Sequence, residues 1–71
     1  MSKAAGNLDI GKLKQLLAYL QDHNHHHVED LEQWAERIEV AGHGEVAAEI
    51  RKAVELYNRM GDHFSAANEK L

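Results

Sequence analysis

The sequence predicts an all-α fold, an antiparallel hairpin of two long helices over about residues 10–41 and 44–71. Three observations predict it: there is no proline among the 71 residues, apolar residues recur at steps of three and four, and one glycine-containing turn interrupts them. Cysteine is also absent, so neither a disulfide nor a thiolate zinc site stabilises so small a core. Self-association and histidine-carboxylate metal binding remain as means of stabilisation.

The first helix is expected to begin after an N-cap at Asn7 or Asp9, because either side chain accepts a hydrogen bond from a free amide of the first turn. Residues 1–6 contain little that would pack and are expected to be a disordered leader. Residues 7–71 then form a single helical domain. Along the first helix, one stripe at steps of three and four contains Leu13, Leu16, Leu20, His23, His27, Leu31, Trp34, Ile38 and Ala41.

The segment Gly42-His43-Gly44 is expected to end the first helix, with Gly42 at the C′ position, where a left-handed backbone costs least. Gly61 is the one poor helix former in the apolar seam of the second helix, and it marks either a close helix approach or a kink. That seam contains Val46, Ile50, Ala53, Tyr57, Met60, Phe64, Ala67 and Leu71.

A three-helix bundle with a break near Asn24 is the alternative fold. Residues 22–28 are all poorer helix formers, which costs about 3–4 kcal/mol relative to alanine. No glycine or proline marks a break, however, and the apolar stripe continues through the segment. The matched lengths of the two arms also favour the continuous hairpin.

A two-helix hairpin covers only part of the apolar surface that these stripes present. The sequence therefore predicts a homodimer in which two hairpins form a four-helix bundle. The residues expected to act as interface anchors are Leu16, Leu17, Leu20, Trp34, Ile38, Tyr57 and Phe64.

Four of the six histidines lie between residues 23 and 27. His23 and His27 are four residues apart, so on a helix both imidazoles point the same way and suit chelation of one ion. With a turn centred at His43, residue 23 faces about residue 63, which nominates His63 as a third ligand. Further oxygen ligands are expected from Asp22, Glu29 and Asp62. Imidazole with carboxylate suits zinc, nickel or cobalt; a structural or solvated role for these histidines is the alternative.

The composition argues against several classes of function. The formal net charge of −4 disfavours nucleic acid and a polybasic membrane contact. No apolar run approaches a membrane span or the core of a signal peptide, so a cytoplasmic protein is expected. The sequence lacks H-E-x-x-H and has neither threonine nor cysteine, so no enzyme is expected.

Two functions from different classes follow. One is a transition-metal-binding accessory or sensor protein that uses the histidine cluster. The other is a structural module whose main property is dimerisation, alone or with an unidentified protein partner.

The pattern H-N-x-x-H-x-x-x-L-x-x-W-A, followed by an Ala-Gly turn, resembles a small prokaryotic helical domain of unknown function. The match covers His23, Asn24, His27, Leu31, Trp34, Ala35, Ala41 and Gly42. Members of that group often carry another histidine four residues before the first, where this chain has Tyr19. The resemblance therefore implies one ligand fewer here, and it implies no established activity.

Overall fold

The computed structural model describes residues 8–71. Two helices, α1 (Ile10–Val40) and α2 (Gly44–Glu69), pack against each other along their length. This confirms the predicted all-α hairpin. The predicted leader, residues 1–6, and the alternative cap Asn7 lie outside the described residues. Within residues 8–71 neither helix has the length and apolar character needed to cross a membrane.

Helix α1 begins at a side-chain cap and runs without interruption through the histidine-rich segment. The carboxylate of Asp9 accepts a hydrogen bond from the amide of Lys12 at 3.1 Å. The three-helix alternative is wrong, because residues 22–28 are all helical. Asn24 and Val28 are buried there against α2, and this tertiary packing outweighs the poor helix propensity of the segment.

The turn between the helices has both hydrogen bonds of a Schellman motif. The amide of Gly42 donates to the carbonyl of Glu39, and the amide of His43 donates to the carbonyl of Ile38. Gly42 has a φ of +95°, which costs glycine little and other residues more. The predicted role of Gly42 at the C′ position is confirmed.

Small and medium-sized side chains make the contact between the helices. Val28 and Ala35 of α1 are 5% and 0% exposed, and Ala47 and Val54 of α2 are 0% and 6% exposed. Among the described residues no large side chain is fully buried. The helices therefore approach closely through alanine and valine.

The apolar stripe that was predicted along α1 does not lie at the centre of the contact with α2 but at its edge. Leu16 and Trp34 remain 50% and 55% exposed, whereas Leu17 and Ala35, one position further along, turn toward α2. Neighbouring residues are about 100° apart around a helix, so a shift of one residue moves a side chain from the contact to its flank. A tryptophan does not fit between helices that meet through fully buried alanines.

Asn24 is the buried polar residue of the contact, at 5% exposure. Its Nδ2 donates a hydrogen bond to the carbonyl of Tyr57 at 2.6 Å. A Cβ atom added to Gly61 would lie 3.1 Å from the same nitrogen, and α2 continues as helix through Gly61. Gly61 therefore marks a close helix approach and does not interrupt α2.

Gly61→Ala is expected to stabilise an Asn24→Ala variant by about 1 kcal/mol, because alanine is the better helix former by that amount. In the natural chain the same change is expected to gain less or to destabilise. The new methyl group would lie 3.1 Å from Asn24 Nδ2 and disturb a hydrogen bond that contributes about 1 kcal/mol.

Urea unfolding of the four proteins at one concentration gives the coupling free energy between the two positions. A coupling near zero would contradict the role assigned to Gly61, since Asn24 would then move aside without cost.

Candidate functional site

The two long sides of the hairpin differ in chemistry. On the polar side, Arg51 and Glu39 form an ion pair between the helices. Further along, a polar groove is lined by Gln21, Asn24, His25, Asn58, Gly61 and Asp62.

The opposite side carries a continuous strip of apolar and aromatic side chains, which we call the apolar face. It includes a groove between the helices and, beside it, an apolar hollow bordered by Leu56. We define it by Leu16, Leu20, His23, His27 and Trp34 of α1 and by Ala53, Tyr57, Met60 and Phe64 of α2.

The two histidines of the apolar face are in direct contact. The Nε2 atoms of His23 and His27 are 3.1 Å apart, and the ring planes are almost perpendicular, at 86°. One Nε2–H donates to the other Nε2, so the hydrogen bond requires that at least one ring be neutral. The i, i+4 spacing on α1 produces this pair, as the sequence indicated.

Two tyrosines flank the histidine pair. The ring of Tyr19 stacks on His23 with centroids 5.7 Å apart, and the ring of Tyr57 from α2 stacks on His27 with centroids 5.8 Å apart. Tyr19 occupies the position where the resemblance led us to expect another histidine. It is an aromatic neighbour of the pair, and the stacking restricts the orientation of both imidazoles.

His63 is not grouped with the pair. Counting from the turn places it near the level of residue 23, but it lies two residues after Gly61, which faces Asn24. Two helical positions correspond to about 200°, so His63 is on the side of α2 away from α1. Its side chain is exposed.

The three carboxylates named as further ligands are also separated from the pair. Asp22 and Glu29 lie on the outer side of α1, each 3.6 Å from a ring nitrogen of His26, and Glu29 is also 3.9 Å from His25. Asp62 lines the polar groove. Within residues 8–71 no three His, Asp or Glu side chains are grouped so that they could hold a metal ion.

The distance between the two Nε2 atoms of the histidine pair suits two ligands to one ion. With metal–nitrogen bonds of about 2.0–2.1 Å, two coordinating nitrogens are about 2.9 Å apart at a right angle and about 3.4 Å apart in a tetrahedron. The observed separation of 3.1 Å lies between these values. One chain therefore offers two coordination positions, and further ligands must come from elsewhere.

Five of the seven residues that were predicted as interface anchors belong to the apolar face. Leu20, Tyr57 and Phe64 are half-buried in its groove, and Leu16 and Trp34 are exposed beside it. Leu17 and Ile38 are half-buried near the contact between the helices.

The burial of Asn24 was not predicted from the sequence. A signal was available, because Ala47, Val54 and Gly61 are each seven residues apart, as are Val28 and Ala35. Such spacing of small residues is typical of closely packed helices.

A family described as a domain of unknown function, DUF8180, matches residues 13–71. The match covers both helices except the first turn of α1, and it agrees with the resemblance to a domain without an assigned activity. No curated protein and no solved structure matches the chain.

Proposed function

The chain belongs to the DUF8180 family, and we propose that it acts as a self-associating helical module. In this proposal the apolar face pairs with the same face of a second copy and two hairpins form a four-helix bundle. The observation that carries the proposal is the exposure of Leu16 and Trp34. Leu16 lies seven residues before His23 and Trp34 seven residues after His27, so both are on the side of α1 that carries the groove.

The small core of a single hairpin supports self-association. The buried apolar side chains described for one chain are two valines and two alanines, and a core of this size rarely supplies more than about 3–5 kcal/mol. Full burial of a large apolar side chain contributes about 1.5–3 kcal/mol, so covering the exposed halves of Leu16 and Trp34 in both copies adds about 3–6 kcal/mol. Pairing would therefore contribute stability comparable to that of the hairpin itself.

The size of the apolar face also fits a second copy. On α1 the face runs from Leu16 to Trp34, which is about 27 Å by helix rise, and the hairpin is 18 Å wide. The face therefore has a projected area of roughly 500 Å², and two copies together would cover roughly 1,000 Å², which is near the lower limit for a specific interface.

The charges lie at the edge of the apolar face. Charged residues make up 28% of the chain, but none is among the nine residues that define the face. The guanidinium of Arg37 lies 5.3 Å from the centre of the Trp34 ring, so the strip is bordered by a cation. An apolar centre with a charged rim is the usual composition of a protein interface.

Transition-metal binding is the second candidate function, and the contact between His23 and His27 favours it. Their 3.1 Å separation suits a shared zinc, nickel or cobalt ion. An accessory or sensor protein would use such a site to hold the ion reversibly. The two candidates are compatible, because the pair lies on the face assigned to dimerisation.

Sedimentation equilibrium is expected to give twice the chain mass of 8.0 kDa. The midpoint of thermal unfolding is also expected to rise with protein concentration, because association stabilises the folded state by mass action. A mass of 8.0 kDa at all concentrations, with a constant midpoint, would contradict self-association.

A further inference from the structure

We propose that dimerisation joins two His23–His27 pairs into one four-imidazole site for a divalent transition-metal ion. The site would lie on the twofold axis between the copies. This inference rests on the proposed self-association and adds a ligand to it.

The position of the pair along α1 supports a site on the axis. Helix α1 runs from Ile10 to Val40 with 31 residues, so His25, between the two ligands, is its central residue. In an antiparallel dimer that overlaps fully, the centre of each helix faces the centre of its counterpart. In a parallel dimer, equal positions face each other. Both symmetric arrangements therefore bring the two pairs to one level.

The position of the histidine pair across the width of the apolar face also supports a site near the twofold axis. His23 and His27 line the groove between the helices, together with Tyr57, Met60 and Phe64 from α2. The pair therefore lies near the middle of the apolar face and away from its charged rim. In a dimer in which the partner covers this face most completely, the twofold axis passes close to the groove.

A site with four protein ligands that includes the pair needs ligands from a second chain. Structural zinc sites in proteins almost always have four protein ligands in a tetrahedron. Each chain offers two imidazoles 3.1 Å apart, and no third ligand joins them among residues 8–71. A second pair would complete the tetrahedron, and Leu20, Met60 and Phe64, which line the same groove, would surround it with apolar side chains.

Two other histidines of α1, which are not part of the apolar face, provide a matched control. His25 and His26 lie within 3.6–3.9 Å of Asp22 and Glu29, so they are the competing place for an ion to bind. All four side chains are exposed on the surface of one helix. Removal of His25 and His26 therefore tests ordinary histidine-rich surface binding without a change in the apolar face.

The test is a titration with Co²⁺, followed by visible absorption and by sedimentation, on the natural chain, His27→Ala and a His25→Ala/His26→Ala variant. Tetrahedral Co²⁺ absorbs visible light far more strongly than the six-coordinate aqueous ion. We expect the natural chain to bind one Co²⁺ per two chains with this strong absorption. His27→Ala should lose the absorption, and His25→Ala/His26→Ala should keep it. Acidification should release the ion, because protons compete with the metal for the imidazole nitrogens.

The outcomes separate this inference from the proposed function. A dimer that binds no Co²⁺, or one that binds one ion per chain, overturns the shared site and leaves self-association standing. Binding that is lost in His25→Ala/His26→Ala and kept in His27→Ala also overturns it. A chain that stays monomeric with and without Co²⁺ overturns both proposals. A chain that dimerises only when Co²⁺ is added supports the shared site.

Discussion

A Leu16→Gln/Trp34→Gln variant is expected to be monomeric at concentrations at which the natural chain is dimeric. The two residues are the most exposed large apolar side chains of the apolar face, at 50% and 55%. Full burial of such a side chain contributes about 1.5–3 kcal/mol, and about half of each surface is still exposed in one chain, so the four side chains of a symmetric dimer contribute about 3–6 kcal/mol. The loss of this contribution is expected to weaken the dimer by more than about a hundredfold.

Val40→Gln is the matched control for this variant. Val40 is 83% exposed, but it borders a hollow with Gln33, Glu36 and Arg37, away from the groove that holds the histidines. Its substitution removes an exposed apolar side chain and should leave the sedimentation mass unchanged. If the double variant remains dimeric, or if Val40→Gln dissociates the dimer, the apolar face is not the interface.

Ala47→Leu is expected to destabilise the fold by about 1–3 kcal/mol, because the larger side chain overpacks a contact without free space. Ala47 is 0% exposed and lies where the helices meet. The adjacent Ala48 is exposed, so Ala48→Leu should change the stability by less than about 0.5 kcal/mol.

Urea unfolding followed by circular dichroism compares the two variants at one protein concentration. Equal free energies of unfolding for the two variants would contradict this prediction, because the helices would then accommodate leucine at position 47 without loss of stability. A loss near 3 kcal/mol would remove most of the stability that so small a core supplies.

The ends of the helices were predictable because local chemistry determines them. The Asp9 cap and the Gly42 turn each depend on a few neighbouring atoms. The continuity of α1 through Asn24 was harder to predict. Local propensity opposed it, and the contacts that favour it come from Tyr57 and Gly61, more than thirty residues away.

The choice of the buried stripe could not be made from hydrophobicity alone. Helix α1 carries two stripes of apolar residues that are one residue apart in the sequence. The stripe with the larger side chains was the one predicted to face the second helix. The structure buries Ala35 and leaves Trp34 exposed, because close approach of the helices depends on small residues. The prediction for His63 failed for a similar reason. Counting residues from the turn gives the position of a residue along the helix axis. The direction of its side chain around the axis depends on which residues of α2 contact α1.

Asn24 also has a consequence for alternative pairings of the two helices. Its amide nitrogen donates to the Tyr57 carbonyl beside Gly61, where an added Cβ would lie 3.1 Å from that nitrogen. If α1 slid by one heptad along α2, this amide would be buried without its acceptor, and Leu17 or Leu31 would face the glycine. The pairings that are shifted by one heptad would therefore be less stable than the observed pairing by about 1–3 kcal/mol, the cost of burying one amide without a hydrogen-bond acceptor. Asn24 thus fixes the level at which the histidines meet Tyr57, and any function of the pair depends on that alignment.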